Sequence, residues 1–320
     1  MALRLDCLDR PVDRSVHCSP TPFLGGVAMY LGFLAAATFF LDIGDPTVRG
    51  ILVGGAIIVV IGVLDDLYRL PAWLKFLGQV GAALVLVHYG IRIDRLSNPA
   101  GGFFYFDGWS VPFTVLWVVA FTNALNFIDG LDGLAAGVAA IASVTLMVVG
   151  IQTGQPRIAI VMTGLLAGSA LGFLPHNFNP ARIFMGDAGA MFLGYTLAGV
   201  AVAGTLKSTV AIALGVPVLA LGLPVMDAMF AVLRRYRSGR AFYQPDKGHL
   251  HHRLIQMGMS QREAVFLMYG VSGWMGVSAL ALSSLRAGPG LGVIAFVFVS
   301  FYLGARRFGI IDVGRGEGIR

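Results

Sequence analysis

Five carboxylates stand in three short strings of an otherwise apolar chain: Asp65 and Asp66 in GVLDDLYRLPAWLK, Asp129 and Asp132 in NALNFIDGLDGLAAG, and Asp187 in FMGDAGAMFLG. Gathered in one place, such groups repel one another strongly and require cations. Oxygen ligands with no thiolate nearby favour a hard ion, Mg²⁺ with Mn²⁺ as a substitute. Lys75 closes the first string, and DKGHLHHRLIQMG adds His249, His251, His252 and Arg253. A divalent ion with fixed cations suits polyphosphate, because together they bridge phosphates and neutralise the charge that a phosphoryl transfer develops. The chain carries neither a P-loop pattern nor a Rossmann glycine pattern.

Each string also admits a plainer explanation. Asp65-Asp66 could be a solvated helix end, and HLHHR a solvated loop or an adventitious metal site. FMGDAGA could be a small-residue face for helix packing, although packing does not require Asp187. Asn126 and Asp129 are three apart and are expected to share a helix face, and Gly130 and Gly133 let the backbone turn and approach a ligand closely. His17 in VHCSPTPFLGG says little alone, and His88 reads as interfacial.

The elements that must position these residues follow from composition. Of 320 residues, 57% are hydrophobic and 12% charged, with mean hydropathy +0.78. Soluble domains run at roughly 45–50% apolar and about 25% charged. A soluble globule, a disordered chain and a basic nucleic-acid-binding domain are thereby excluded, and an all-α polytopic membrane protein is expected. Ten apolar runs qualify as spans: 24–42, 50–64 (short), 74–91, 112–128, 134–151, 157–175, 186–206, 209–233, 264–285 and 288–306. Pro217 and Pro224 should break the eighth. The stretch 91–110 reads as a small extracytoplasmic β-hairpin. Cys7 and Cys18 imply no disulfide framework, and no cleavable signal peptide is visible.

Orientation follows from the Lys and Arg count. Of the 23 Lys and Arg, only 6 (Arg49, Arg92, Arg95, Arg157, Lys207 and Arg286) fall on the side opposite the N-terminus, against 17 on its own side. That places both termini in the cytoplasm, with a segment 1–23 before the first span, one multi-span domain over 24–306, a His/Arg loop at about 234–263 and a tail 307–320. Every polar cluster then lands at the cytoplasmic face. Charged groups at membrane depth are costly and point to function. A site at that surface suits one lipid substrate and one cytosolic nucleotide. A secondary transporter is the rival from another class, but its charges would lie near the midplane and its sequence would often show an inverted repeat.

These strings, with VHCSPTPFLGG and in this order, resemble the polyprenyl-phosphate N-acetylhexosamine-1-phosphate transferases, the superfamily that includes the MraY translocases. The resemblance covers about Pro11 to Met257. HLHHRL looks like the GlcNAc-1-phosphate branch, whereas MraY-type enzymes usually carry an HHHFE-like string, and DGLDG looks bacterial. The resemblance implies transfer of a sugar 1-phosphate, GlcNAc-1-phosphate above all, from a UDP-N-acetylhexosamine to undecaprenyl phosphate in the plasma membrane, with release of UMP. The product would be the first lipid-linked intermediate of a cell-envelope polysaccharide such as lipopolysaccharide or teichoic acid. The alternative within the superfamily is the MraY reaction on UDP-MurNAc-pentapeptide. A homodimer is compatible with the family.

The same resemblance implies roles. Asn126 and Asp187 would hold Mg²⁺. Asp65 would receive the proton of the lipid phosphate, Asp66 would position Lys75 or the metal, and Lys75 would screen charge. Asn123, Asp129 and Asp132 would organise the nucleotide site, with His17 on the substrate side. His249, His251, His252 and Arg253 would hold the donor diphosphate or the sugar. The chain departs from the family at Ala188 and Ala190, where Ser is common, and at Ser15, where a basic residue is common. Family members typically carry one further N-terminal span.

Overall fold

The computed structural model describes residues 8–9, 21–97, 102–205, 215–237, 248–285 and 287–307. His17, Ser15, Cys7 and Cys18 lie outside them. Two short antiparallel strand pairs accompany a set of helices. Strands β1 (Leu8–Asp9) and β2 (Thr21–Pro22) precede α1 (Gly25–Phe40), α2 (Pro46–Tyr68) and α3 (Ala72–His88). Strands β3 (Arg95–Ser97) and β4 (Phe103–Tyr105) follow, then α4 (Ser110–Ile128), α5 (Leu134–Gln152), α6 (Arg157–Asn177) and α7 (Gly186–Thr205). The chain continues through α8 (Gly215–Ala220), α9 (Gly222–Arg237), α10 (Leu250–Gln256), α11 (Gln261–Ser284) and α12 (Ala287–Arg307).

Six of these helices are long and apolar enough to cross a membrane: α2, α4, α5, α6, α7 and α11. The shorter apolar helices Gly25–Phe40, Ala72–His88 and Pro289–Gly304 join them. Phe39, Leu116, Val277 and Phe296 stand well exposed on the outside of the bundle, a surface suited to lipid rather than to water. The protein is a polytopic, all-helical membrane protein.

Each of the ten expected spans contains a helix, with two changes. The second is not short. Asp45 accepts from the Thr47 and Val48 amides at 2.7 and 3.4 Å, with Pro46 opening the helix, and the helix runs on through the polar turn that lowers its local hydropathy. The eighth divides at Leu221, as its prolines suggested. Pro217 and Pro224 are each the third residue of their helix, where no intrahelical N–H bond is needed. The expected hairpin is present, with Arg95 opposite Tyr105 and Ser97 opposite Phe103. It is tied to α4 by Ser110 donating to Asp94 at 2.8 Å and by the Ile93 amide donating to Thr114 at 2.8 Å.

Helix α7 is the centre of the bundle, with 89% of its apolar stretch buried. Small residues allow this. A Cβ at Gly26 of α1 would overlap the Gly189 backbone, and one at Gly62 of α2 would overlap Ala188. Close backbone approach of this kind is how membrane helices gain packing contacts without a hydrophobic drive between them. Ala188 and Ala190, the two departures from the family pattern, are both buried on this helix. The packing explanation of FMGDAGAMFLG is therefore correct for its small residues and leaves Asp187 unexplained.

Candidate active site

Asp65 lies in the last turn of α2 and Lys75 in the first turn of α3. Arg69 caps α2 in the left-handed conformation, with φ 53°, so the chain reverses within three residues and faces the two side chains. Lys75 Nζ donates to Asp65 Oδ2 at 2.9 Å and to Asp187 Oδ2 at 3.1 Å. Asp187 Oδ1 accepts from Asn126 Nδ2 at 3.0 Å. Four side chains from α2, α3, α4 and α7 thus form one continuous charged cluster.

Asp66 bonds to the backbone of α7 rather than to Lys75 itself. It accepts from the backbone amides of Asp187 and Ala188 at 2.9 and 3.4 Å, while Lys75 donates to the other two carboxylates. It thereby satisfies the free N–H groups at the start of α7, where a negative charge is favoured. Gly186 precedes them with φ +66°, and a Cβ there would overlap Asp66 Oδ2. Asp66 positions Asp187, and only through it Lys75.

Asp129 is the C-cap of α4 rather than a member of its helical face, which corrects the expected pairing with Asn126. Among the described residues its carboxylate has no hydrogen-bond donor. Burial first, then the charges of Asp187, Asp66 and Asp132, push it up to about 8. The folded chain therefore holds a proton that the unfolded chain releases near 3.8. This contribution to stability is complete below the unfolded value and is lost as pH rises through about 8. In chelator, the melting temperature of Asp129→Asn minus that of the parent should rise between about pH 5 and about pH 8.5. A constant or falling difference would refute the assignment.

Other site residues are tied into the frame. Asp132 Oδ2 accepts from Asn179 Nδ2 and from the Ala181 amide, both at 3.0 Å. Asn123 donates to Gln79 at 2.6 Å and to the Val119 carbonyl at 2.8 Å. Both were expected at the nucleotide, and among the described residues they bond to these protein groups. Tyr269 donates to the Gly133 carbonyl at 2.5 Å, and the Gly133 amide donates to Asn177 at 3.0 Å. The loop between α4 and α5 is thus held from α6, from α11 and from the segment that follows α6.

The histidines lie on and beside α10. His251 is buried between its neighbours, with ring centroids 5.7 Å from His249 and 4.2 Å from His252. A Cβ at Gly130 would overlap its Nε2, so the DGLDG loop and the histidine string meet in space. Burial, then His252, holds the His251 imidazole down to about 3, and the ring is neutral at ordinary pH. Its Nδ1 has no partner among the described residues. His249 Nδ1 meets Asp227 Oδ2 at 2.8 Å. Sequence reading missed Asp227, although a lone carboxylate inside the apolar run VLALGLPVMDAMF was a legible signal.

Among the described residues no three His, Cys, Asp or Glu side chains form a metal cage. Mg²⁺ does not need one, since it is usually held by one or two carboxylates together with water and substrate phosphate oxygens. Asp65 and Asp187 supply two carboxylates that converge on one point, and a half-turn of the Asn126 amide brings an oxygen beside them. The donor set fits a hard divalent ion.

The family model described as glycosyl transferase family 4 matches residues 48–205. The chain is 37% identical over 313 residues to the probable undecaprenyl-phosphate N-acetylglucosaminyl 1-phosphate transferase of Bacillus subtilis (strain 168), across 98% of this chain and 87% of that one. It is 40% identical over 316 residues to the decaprenyl-phosphate N-acetylglucosaminephosphotransferase of Mycobacterium leprae (strain TN), across 89% of this chain and 78% of that one. It is 27% identical over 283 residues to the undecaprenyl-phosphate alpha-N-acetylglucosaminyl 1-phosphate transferase of Escherichia coli (strain K12), across 84% and 74%.

Proposed function

This chain belongs to glycosyl transferase family 4, and on that premise we propose that it transfers GlcNAc-1-phosphate from UDP-GlcNAc to a polyprenyl phosphate. The observation that carries the assignment of the site is Lys75 held between Asp65 and Asp187, with Asn126 on the far side of Asp187. Around it on α3, Trp73 is 63% exposed and Phe76 and Leu77 are also exposed. A lipid phosphate can reach Lys75 from the bilayer while its tail lies along these side chains.

In the reaction, an oxygen of the lipid phosphate attacks the sugar-linked phosphorus of UDP-GlcNAc. The bond from that phosphorus to the bridging oxygen breaks, UMP leaves with both electrons, and the sugar C–O bond stays intact. Lys75 lowers the repulsion between the two anions, an electrostatic contribution made by a preorganised charge. Asp65 accepts the proton of the lipid phosphate when one is present, a modest aid because a phosphate monoester ionises for the second time at about 6. Asp187, Asp65 and Asn126 would hold Mg²⁺, which when bound neutralises the donor diphosphate. Asp66 fixes Asp187, the DGLDG loop borders the nucleotide, and His249, His251, His252 and Arg253 face the donor diphosphate or sugar. The cytoplasmic orientation, with the N-terminal segment and the His/Arg loop inside, rests on the Lys and Arg count of 17 against 6. A bacterial plasma membrane suits the relatives' organisms.

One experiment tests both reaction and side. Sealed inverted and right-side-out vesicles containing the protein are given undecaprenyl phosphate with labelled UDP-GlcNAc or UDP-MurNAc-pentapeptide. Label from UDP-GlcNAc should enter the lipid extract of inverted vesicles only, with UMP released and with dependence on Mg²⁺. Release of UDP would defeat the reaction, label from the pentapeptide donor alone would defeat the donor, and label in right-side-out vesicles would defeat the orientation.

A further inference from the structure

We propose that Asp227 is a positioning residue for this transfer, fixing the tautomer and ring orientation of His249; the proposal rests on the reaction proposed above. Asp227 belongs to α9, a helix whose Leu223, Met226 and Phe230 are also buried, and is 2% exposed. A carboxylate in such surroundings is costly unless its oxygens are satisfied. Both are. Oδ2 meets His249 Nδ1 at 2.8 Å, and Oδ1 accepts from the Leu250 amide at 2.8 Å.

An ionised carboxylate only accepts hydrogen bonds. With both oxygens engaged, the proton of the short contact sits on His249 Nδ1, and Nε2 is the atom left to meet a ligand. The ring is also held from its sides. It stacks on His251 with 9° between planes and lies 5.9 Å from Phe127, the neighbour of Asn126. A histidine whose second nitrogen is tied to a carboxylate keeps one tautomer and one orientation, the arrangement used to aim both metal-bound and catalytic imidazoles. Among the described residues Asp227 bonds to His249 and to the Leu250 amide, so its route to the reaction runs through His249 and the start of α10.

A merely structural tie would survive in Asp227→Asn, whose amide can still hold His249 with the ring proton on Nε2, and this separates the two roles. Full-length protein labelled with ¹⁵N-histidine is studied in lipid bilayers, and the His249 signal is assigned by its loss in His249→Gln. In the parent, His249 should carry its proton on Nδ1. In Asp227→Asn both contacts can persist with the direction reversed only at the histidine: the amide oxygen still accepts from Leu250, the amide NH₂ donates to Nδ1, and the ring proton moves to Nε2. Turnover should fall by about 100-fold or more, with KM for UDP-GlcNAc changed less than about 3-fold. In the His249→Gln background the same substitution should add less than about 2-fold, because the two residues act as a unit.

A parent His249 protonated on Nε2 alone would overturn the proposal, and that measurement needs no variant to fold. An Asp227→Asn turnover within about 3-fold of the parent, or a full further loss in the His249→Gln background, would do the same. The reaction itself is checked apart from this. An active parent with the wrong tautomer sinks the positioning role alone, whereas an Nδ1-protonated His249 in a parent that forms no labelled lipid sinks the assigned transfer.

Discussion

Asp187→Asn should lower UMP release by about 10³-fold, the scale seen when a preorganised charge that stabilises a transition state is removed. The substitution keeps the volume of the side chain and its place in the first turn of α7. The Asp66 contacts to the backbone amides survive, because they do not use the side chain. What goes is the negative charge that engages Lys75 at 3.1 Å and Asn126 at 3.0 Å. If Asp187 is a metal ligand, the Mg²⁺ concentration for half-maximal activity should rise by about 10-fold or more. Titrating Mg²⁺ at saturating UDP-GlcNAc reads both quantities. Turnover within about 10-fold of the parent, with an unchanged Mg²⁺ requirement, would remove Asp187 from the metal site.

Lys75→Met should also lower turnover, by about 10²- to 10³-fold, yet move the Mg²⁺ requirement the opposite way. The ammonium now sits at the point on which Asp65 and Asp187 converge. Methionine preserves the length and leaves two carboxylates facing each other without a counter-charge. A divalent ion then meets no fixed competitor and should bind more tightly, while the lipid phosphate loses its cationic partner. The pair of variants separates two roles that a simple loss of activity would confound: loss of the metal ligand raises the Mg²⁺ concentration needed, and loss of the phosphate-facing lysine lowers it. A weaker Mg²⁺ response in Lys75→Met would mean that Lys75 supports the ion rather than competing with it.

Much of the site was legible before any fold was known. In a chain with 12% charged residues, a carboxylate beside an apolar run has few inexpensive uses, so Asp65, Asp66, Asp129 and Asp187 were conspicuous by residue type alone. The structure groups them, the first, second and last through direct bonds around Asp187 and Lys75 and Asp129 through its charge environment. Asp227 was equally conspicuous on that criterion. It was overlooked because the prolines of its span supplied a sufficient explanation for the segment.

What the sequence determined by itself was the class of protein, the position of nearly every helix and the residues able to carry the chemistry. Those properties depend on local composition: apolar runs of sufficient length, small residues that permit close packing, and ionisable groups too costly to place idly in a membrane. What only the tertiary structure decided was which of these residues meet. Asp65 and Asp66 are adjacent, but successive helical residues point about 100° apart, so one faces Lys75 and the other the start of α7. Lys75 meets Asp187 across 112 positions, and Gly130 meets His251 across the DGLDG loop and α10. No local pattern encodes such meetings, because they follow from how α7 packs between its neighbours and from which small residues let it approach.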